Sequence, residues 1–132
     1  MSRVFVNGCF DILHRGHIEL LQAASSQGDI LLVAIDSDKR VSELKGPSRP
    51  INTEKDRKFL LESLKMVKQV KIFDSEEELL SIVKDFKPDV MMVGSDYRNK
   101  AVIGASHAKK LLYFQRIDEY STTKTIQNIS NR

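Results

Sequence analysis

Short apolar runs alternate with stretches of helical spacing along most of the chain. Val4-Phe5-Val6 is too brief for a helix and rich in β-branched and aromatic residues, which suits a strand buried in a parallel sheet. A glycine turn at Asn7-Gly8 follows, and Ile18, Leu20, Leu21 and Ala24 then fall at helical spacing. Asp29 to Asp36 is nearly continuously apolar and reads as a second strand, with Gly28 placed to cap the first helix. From Ser37 to Asn52 the period is lost, and Lys45-Gly46-Pro47-Ser48-Arg49-Pro50 reads as a loop. Thr53 is placed as an N-cap with Asp56 in the first turn. Phe59, Leu60, Leu64 and Val67 give the apolar face of a helix reaching about Met66. Val70 to Phe73 reads as a third strand. Ser75 caps a further helix, with Glu76, Glu77 and Glu78 where the dipole favours them and Leu79, Leu80, Ile82 and Val83 on its buried side.

Pro88 stops that helix, and Asp89 to Gly94 is a fourth apolar strand running into Ser95-Asp96-Tyr97-Arg98. A weak helical stretch, about Ala101 to Ala108, leads to a short strand at Leu111 to Phe114. Ser121-Thr122-Thr123 opens a C-terminal helix through Thr125, Ile126 and Ile129. Strands that alternate with helices and are apolar along their length predict an α/β fold. We expect a doubly wound parallel sheet of about five strands, in one domain over residues 1–132. Ligands of such sheets bind beyond the carboxyl ends of the strands, where the strand order reverses. The loops after strands one, two and four lie on that edge and carry His14, His17, Asp36, Asp38 and Asp96.

Composition narrows the function. The hydrophobic fraction of 41% with 30% charged residues is that of a globular protein. No run of about 18 apolar residues is present, so no membrane insertion is expected. The start of the chain lacks the charged and apolar regions of a secretory signal, which makes the cytoplasm the expected compartment. Cys9 is the single cysteine and has no internal disulfide partner, in keeping with a reducing compartment. The net charge of +3, from 21 Lys and Arg against 18 Asp and Glu, is mild and dispersed. It favours an anionic small molecule over nucleic acid.

The candidate chemistry gathers at the first turn. A helix N-terminus presents unpaired N–H groups and a positive dipole end, so His14 and His17 stand where a phosphate would be held. Two imidazoles there suit hydrogen bonds to a triphosphate and to the charge that develops when its α-phosphorus is attacked. A zinc site would want more ligands, and His107 and Cys9 are the only other histidine and thiol. Lys45, Arg49 and Arg57 supply cations near strand two, fit either to neutralise phosphates or simply to be solvated. Asp96 is placed either to accept a hydrogen bond from a base or sugar or to cap a turn. Ser121-Thr122-Thr123 is either a plain cap or a second phosphate-holding helix end. Phe10 and Tyr97 read as packing residues. The chain has no G-x-G-x-x-G, Walker lysine, G-x-S-x-G or C-x-x-C motif. Dehydrogenase, P-loop, hydrolase and thioredoxin readings therefore fall away.

Gly8-Cys9-Phe10-Asp11-Ile12-Leu13-His14-Arg15-Gly16-His17 resembles the signature G-x-F-D-x-x-H-x-G-H of the cytidylyltransferase-like nucleotidyltransferases, and Ser121-Thr122-Thr123-Lys124 resembles their S-T-T signature. The resemblance runs from Val4 to Ile129. It implies a Rossmann-like fold and transfer of a nucleoside monophosphate from CTP or ATP to a phosphorylated sugar or polyol, with release of pyrophosphate, for cell-surface polymer synthesis. It implies assistance by Mg2+ bound mainly through the nucleotide phosphates, and a homodimer. Carried onto this sequence, the catalytic residues would be His14, His17, Lys45 and Arg116. The nucleotide would be bound by Gly8, Cys9, Phe10, Asp11, Gly16, Arg57, Gly94, Asp96, Ser121, Thr122 and Thr123.

Two branches of the family are in view. Leu44 to Pro50, Cys9 and Tyr120 to Lys124 resemble the adenylyltransferase domain that makes ADP-heptose from a heptose 1-phosphate. Arg116 and the short chain resemble glycerol-3-phosphate cytidylyltransferase. Gly94-Ser95-Asp96-Tyr97 stands where the first has G-G-D-Y and the second G-D-D-W, and Ser95 matches neither. The expected reaction is an in-line displacement by an acceptor phosphate oxygen at the α-phosphorus, with no protein nucleophile. The alternative is a nucleotide-binding regulatory module on the same fold that has lost its chemistry.

Overall fold

In a computed structural model of the protein, residues 1–95 and 100–115 are described. Their elements run β1 (Arg3–Gly8), α1 (Arg15–Ser25), β2 (Ile30–Asp36), α2 (Asp38–Lys45), α3 (Glu54–Glu62), β3 (Gln69–Phe73), α4 (Glu76–Phe86), β4 (Val90–Gly94) and β5 (Lys110–Phe114). One 3-10 turn, Ala105–His107, precedes β5. The five strands form one sheet in the order β3-β2-β1-β4-β5, and every neighbouring pair is parallel. From β1 the chain steps outward to β2 and β3, then returns to the other side of β1 for β4 and β5. The order reverses between β1 and β4, so a Rossmann-like sheet has its binding crevice above those two strands.

Side-chain alternation explains why both faces are covered. Val4, Val6, Leu31, Val33 and Ile35 point to one face, where Leu21 and Ala24 of α1 and Leu61 of α3 cover them. Phe5, Leu32, Ala34 and Met91 point to the other, beneath Leu79 and Val83 of α4. All nine of these strand positions in β1, β2 and β4 are apolar and buried, so neither face of those strands is left for water, as parallel strands require.

The lower edge of the sheet is tied by two carboxylates. Asp29 accepts from the amide and hydroxyl of Ser2, and Asp89 accepts from the amide of Arg3 while its own amide donates to the Arg3 carbonyl. These bonds hold both carboxyls below the ordinary aspartate range, the backbone bond being the largest influence in each.

Several local expectations need correction. Ser37 to Asn52 is not wholly irregular. The Ser37 hydroxyl caps the eight-residue helix α2 by accepting from the Arg40 amide, and Val41 is its single buried residue. So polar a helix leaves no apolar period to read. Helix α3 stops at Glu62, short of Met66, and its inward residues are Arg57 and Leu61. Phe59 and Leu60 point outward, while Val67, in the turns after the helix, joins the core. The apparent period therefore joined a helix to the turn beyond it. Gly28 does not cap α1, whose C-cap is Ser26. A Cβ at Gly28 would lie 2.7 Å from Val4 Cγ2, so close approach of backbone to core accounts for the glycine. The stretch Ala101 to Ala108 holds a turn and the 3-10 segment in place of a helix. The helix expected from Ser121 lies outside the described residues.

Candidate active site

The turn between β1 and α1 is built by its own residues. Phe10 has φ +51°, a left-handed conformation that costs a residue with a Cβ about 1–2 kcal/mol. Its ring lies over Gly8, where a Cβ would come 3.0 Å from Phe10 Cε2, and stands 5.1 Å from the His17 ring. Glycine at position 8 thus makes room for the aromatic ring that supports the histidine.

Helix α1 begins at Arg15, three residues before its apolar spacing starts, because an imidazole does the capping. His14 is the N-cap, and its Nδ1 accepts from the Gly16 amide at 3.1 Å. His17, at the third helical position, accepts the His14 amide on its own Nδ1 at 3.3 Å. Two histidines therefore fill the reciprocal places usually held by Ser or Thr and Glu. The consequence for chemistry is direct. An Nδ1 that accepts an N–H carries no proton, so the proton sits on Nε2 and each ring has an Nε2–H donor. The rings stack with centroids 3.9 Å apart and planes at 21°, which places both donors at the positive end of the helix.

Asp11 and Arg57, expected at the nucleotide, are both buried with their polar atoms turned to protein partners. The Asp11 carboxylate accepts from the amides of Ile51 and Asn52 and from Arg49 Nε at 3.0 Å, while Asn52 Nδ2 donates to the Asp11 carbonyl. Burial alone would raise the Asp11 pKa. The Asn52 and Ile51 amides and the Arg49 guanidinium outweigh it and hold the carboxyl below its ordinary value. Arg57 is 0% exposed. Its Nε donates to the Asn52 carbonyl, its Nη1 to the carbonyls of Cys9 and Asp36, and its Nη2 to Asp38 Oδ1. One guanidinium thus binds the loops after β1 and β2 to the segment entering α3. Asp38 and Glu54 complete the brace, each accepting the other's backbone amide at the starts of α2 and α3. Asp36 pairs with Arg40, whose guanidinium lies over Phe73.

The remaining expected residues take distinct places. Cys9 is half-buried, and burial pushes its thiol up against the opposing pull of Lys45 and Arg57, so it stays a protonated thiol. Lys45 is the last residue of α2 and is exposed, near enough for its charge to act on Cys9. Of the three cations in the loop and at α3, Arg49 and Arg57 are ion-paired to Asp11 and Asp38, and Lys45 remains for solvent or ligand. Gly16 lies in the first turn of α1 as a donor to His14, and Gly94 ends β4 beside Phe114. Asp96, Arg116, Ser121, Thr122 and Thr123 lie outside the described residues.

Ser42 and Asn52 were not singled out from sequence. The Ser42 hydroxyl donates to the Arg49 carbonyl and Asn52 to the turn of Asp11. The only sequence signal was an Asn just before the Thr53 cap. Among the described residues no group of three or more His, Cys, Asp or Glu is placed to hold a metal ion, and no helix is long and apolar enough to cross a membrane.

The described residues form an α/β scaffold whose parallel sheet reverses its strand order between β1 and β4 and whose helix α1 carries two stacked imidazoles at its N-terminus, after β1. Comparison with known proteins makes the class specific. Residues 5–130 match the cytidylyltransferase-like family model, and the chain belongs to that family of nucleotidyltransferases. It is 48% identical over 126 residues to the Bifunctional protein HldE of Sulfurimonas denitrificans, covering 96% of this chain and 26% of that one. It is 45% identical over 128 residues to the protein of the same name from Campylobacter fetus, covering 97% and 28%. The chain therefore spans about a quarter of the length of these curated relatives. Among solved structures, the lipopolysaccharide core biosynthesis protein of Thermoplasma volcanium superimposes with a TM-score of 0.73 at 29% identity, over 89% of this chain and 99% of that one.

Proposed function

We propose that the chain transfers a nucleoside monophosphate from ATP or CTP to a phosphorylated sugar, releasing pyrophosphate, with ATP and a sugar 1-phosphate the favoured pair. The observation that carries the reading is the paired Nε2–H donors of His14 and His17 at the N-terminus of α1. The resemblance of Leu44 to Pro50 and Cys9 to the heptose 1-phosphate adenylyl branch, together with relatives named HldE, favours ATP over CTP.

An oxygen of the acceptor phosphate attacks the α-phosphorus, a new P–O bond forms, and the bond to the β-phosphate oxygen breaks as pyrophosphate leaves. The acceptor is already ionised at neutral pH, so no protein base or nucleophile is needed. What the protein supplies is position and charge stabilisation. His14 and His17 donate to the α-phosphate region, where negative charge is redistributed, and the helix dipole adds to their effect. Lys45, exposed at the end of α2, meets the β- and γ-phosphates. Asp11 and Arg57 act beneath the site, fixing the turn that carries the histidines. Magnesium would enter on the nucleotide's phosphates and shield the charge of the departing pyrophosphate.

The test is a grid of ATP and CTP against heptose 1-phosphate, glycerol 3-phosphate and other phosphorylated alcohols, with pyrophosphate as the readout. Release with ATP and a sugar 1-phosphate is expected. Nucleotide binding without release in any cell of the grid would identify a regulatory module instead.

A further inference from the structure

Arg49 is left with an unexplained donor. Its side chain is more than nine-tenths buried, at 9% exposure, and its Nε donates to Asp11 Oδ2 at 3.0 Å. Its backbone is pinned as well, the amide donating to the Gly46 carbonyl and the carbonyl accepting from Ser42. Yet Nη2 is buried with no hydrogen-bond partner. A buried donor left unmet costs about 1–3 kcal/mol, and more on a charged group. Native proteins seldom keep such a group without a use for it. The neighbouring Arg57, buried in the same loop system, has all three of its nitrogens engaged.

The position of the spare donor adds to its meaning. Asp11, which holds Arg49 Nε, is three residues before His14 in the turn that builds the phosphate site. Asp11 also receives the amides of Ile51 and Asn52, so the guanidinium cannot swing away without breaking a buried ion pair. The group is thus fixed, charged and pointed by its partner, which is how arginine recognises phosphate oxygens.

We infer that Arg49 is a ligand-binding residue of the site, its Nη2 donating to a phosphate oxygen of a bound substrate while Nε stays on Asp11. This rests on the reading of the site as one for phosphorylated substrates. A phosphate oxygen could come from the nucleotide or from the acceptor, and the two sources are separated by titration. Lysine at this position keeps the charge but cannot serve Asp11 and a ligand through two fixed nitrogens.

The experiment is isothermal titration of wild type, Arg49→Lys and Arg49→Gln with ATP, CTP, inorganic pyrophosphate, glycerol 3-phosphate and, as a phosphate-free control, adenosine. Thermal melts accompany each variant. In Arg49→Lys, we expect affinity to fall tenfold or more for one phosphate class, with adenosine affinity within twofold. A loss for ATP, CTP and pyrophosphate assigns the donor to the nucleotide, and a loss for glycerol 3-phosphate alone assigns it to the acceptor. Unchanged affinity for every phosphate would overturn the inference and leave Nη2 to water. An equal loss for adenosine would overturn it too, by showing a scaffold role only. If Arg49→Gln fails to fold, Arg49→Lys decides. Binding is read without turnover, so a loss of phosphate affinity in Arg49→Lys beside a wild type that binds nucleotide yet releases no pyrophosphate would refute the proposed reaction and leave this inference standing.

Discussion

Removing the Asp11 carboxylate is the sharpest test of how the site is held. In Asp11→Ala the Arg49 guanidinium stays buried but loses its counter-ion, and the Ile51 and Asn52 amides lose their acceptor. Breaking a buried ion pair from one side costs about 3–5 kcal/mol, because the remaining charge is left uncompensated. Against a total stability of about 5–15 kcal/mol for a domain of this size, that is a large fraction. The two orphaned amides belong to a partly exposed segment and regain water, so they add little. Asp11→Ala is therefore expected to lose about 3–5 kcal/mol in urea denaturation, with an unchanged m-value. Replacing the stranded cation as well, in Asp11→Ala with Arg49→Met, removes the buried charge. It is expected to recover about 1–3 kcal/mol of that loss, a coupling read by a double-mutant cycle. A loss below about 1 kcal/mol in the single variant, or no recovery in the double, would refute the latch.

Two further outcomes follow from the same geometry. His17→Ala is expected to lower turnover about a hundredfold or more, as when one donor to a developing charge is removed. Since His17 also accepts the His14 amide, a melting curve accompanies it, and nearly unchanged pyrophosphate release would refute the role. The Asp11 carboxyl titrates below its unfolded value of about 3.9, so its contribution is fully present above that value and is lost as pH falls through the lower folded value. Unfolding free energy measured across that acid range should fall less steeply in Asp11→Asn than in wild type. Equal slopes would show that Asp11 is not the titrating group.

The strands were legible because each is a short apolar run that both faces of a parallel sheet require, and β1 to β5 lie within a residue or two of their expected bounds. The histidine pair was legible from its spacing after a strand and a glycine. The capping roles of the two imidazoles were hidden, because no helix-start pattern uses histidine at both places. Helix α2 was hidden because only Val41 faces inward. Arg57 looked like a phosphate ligand, since nothing local reveals that four protein groups on three segments converge on it. For the same reason Arg49 looked like one more loop cation, and only its pairing with Asp11 across 38 positions sets it apart.

The central claim is that an acceptor phosphate displaces pyrophosphate directly at the α-phosphorus. Phosphorus NMR of the protein with ATP, magnesium and a sugar 1-phosphate reads this without coupling enzymes. The account predicts that a diphosphate-linked product and free pyrophosphate grow in equal amounts. ATP, CTP and every acceptor left unchanged at saturating protein, with nucleotide bound, would contradict it.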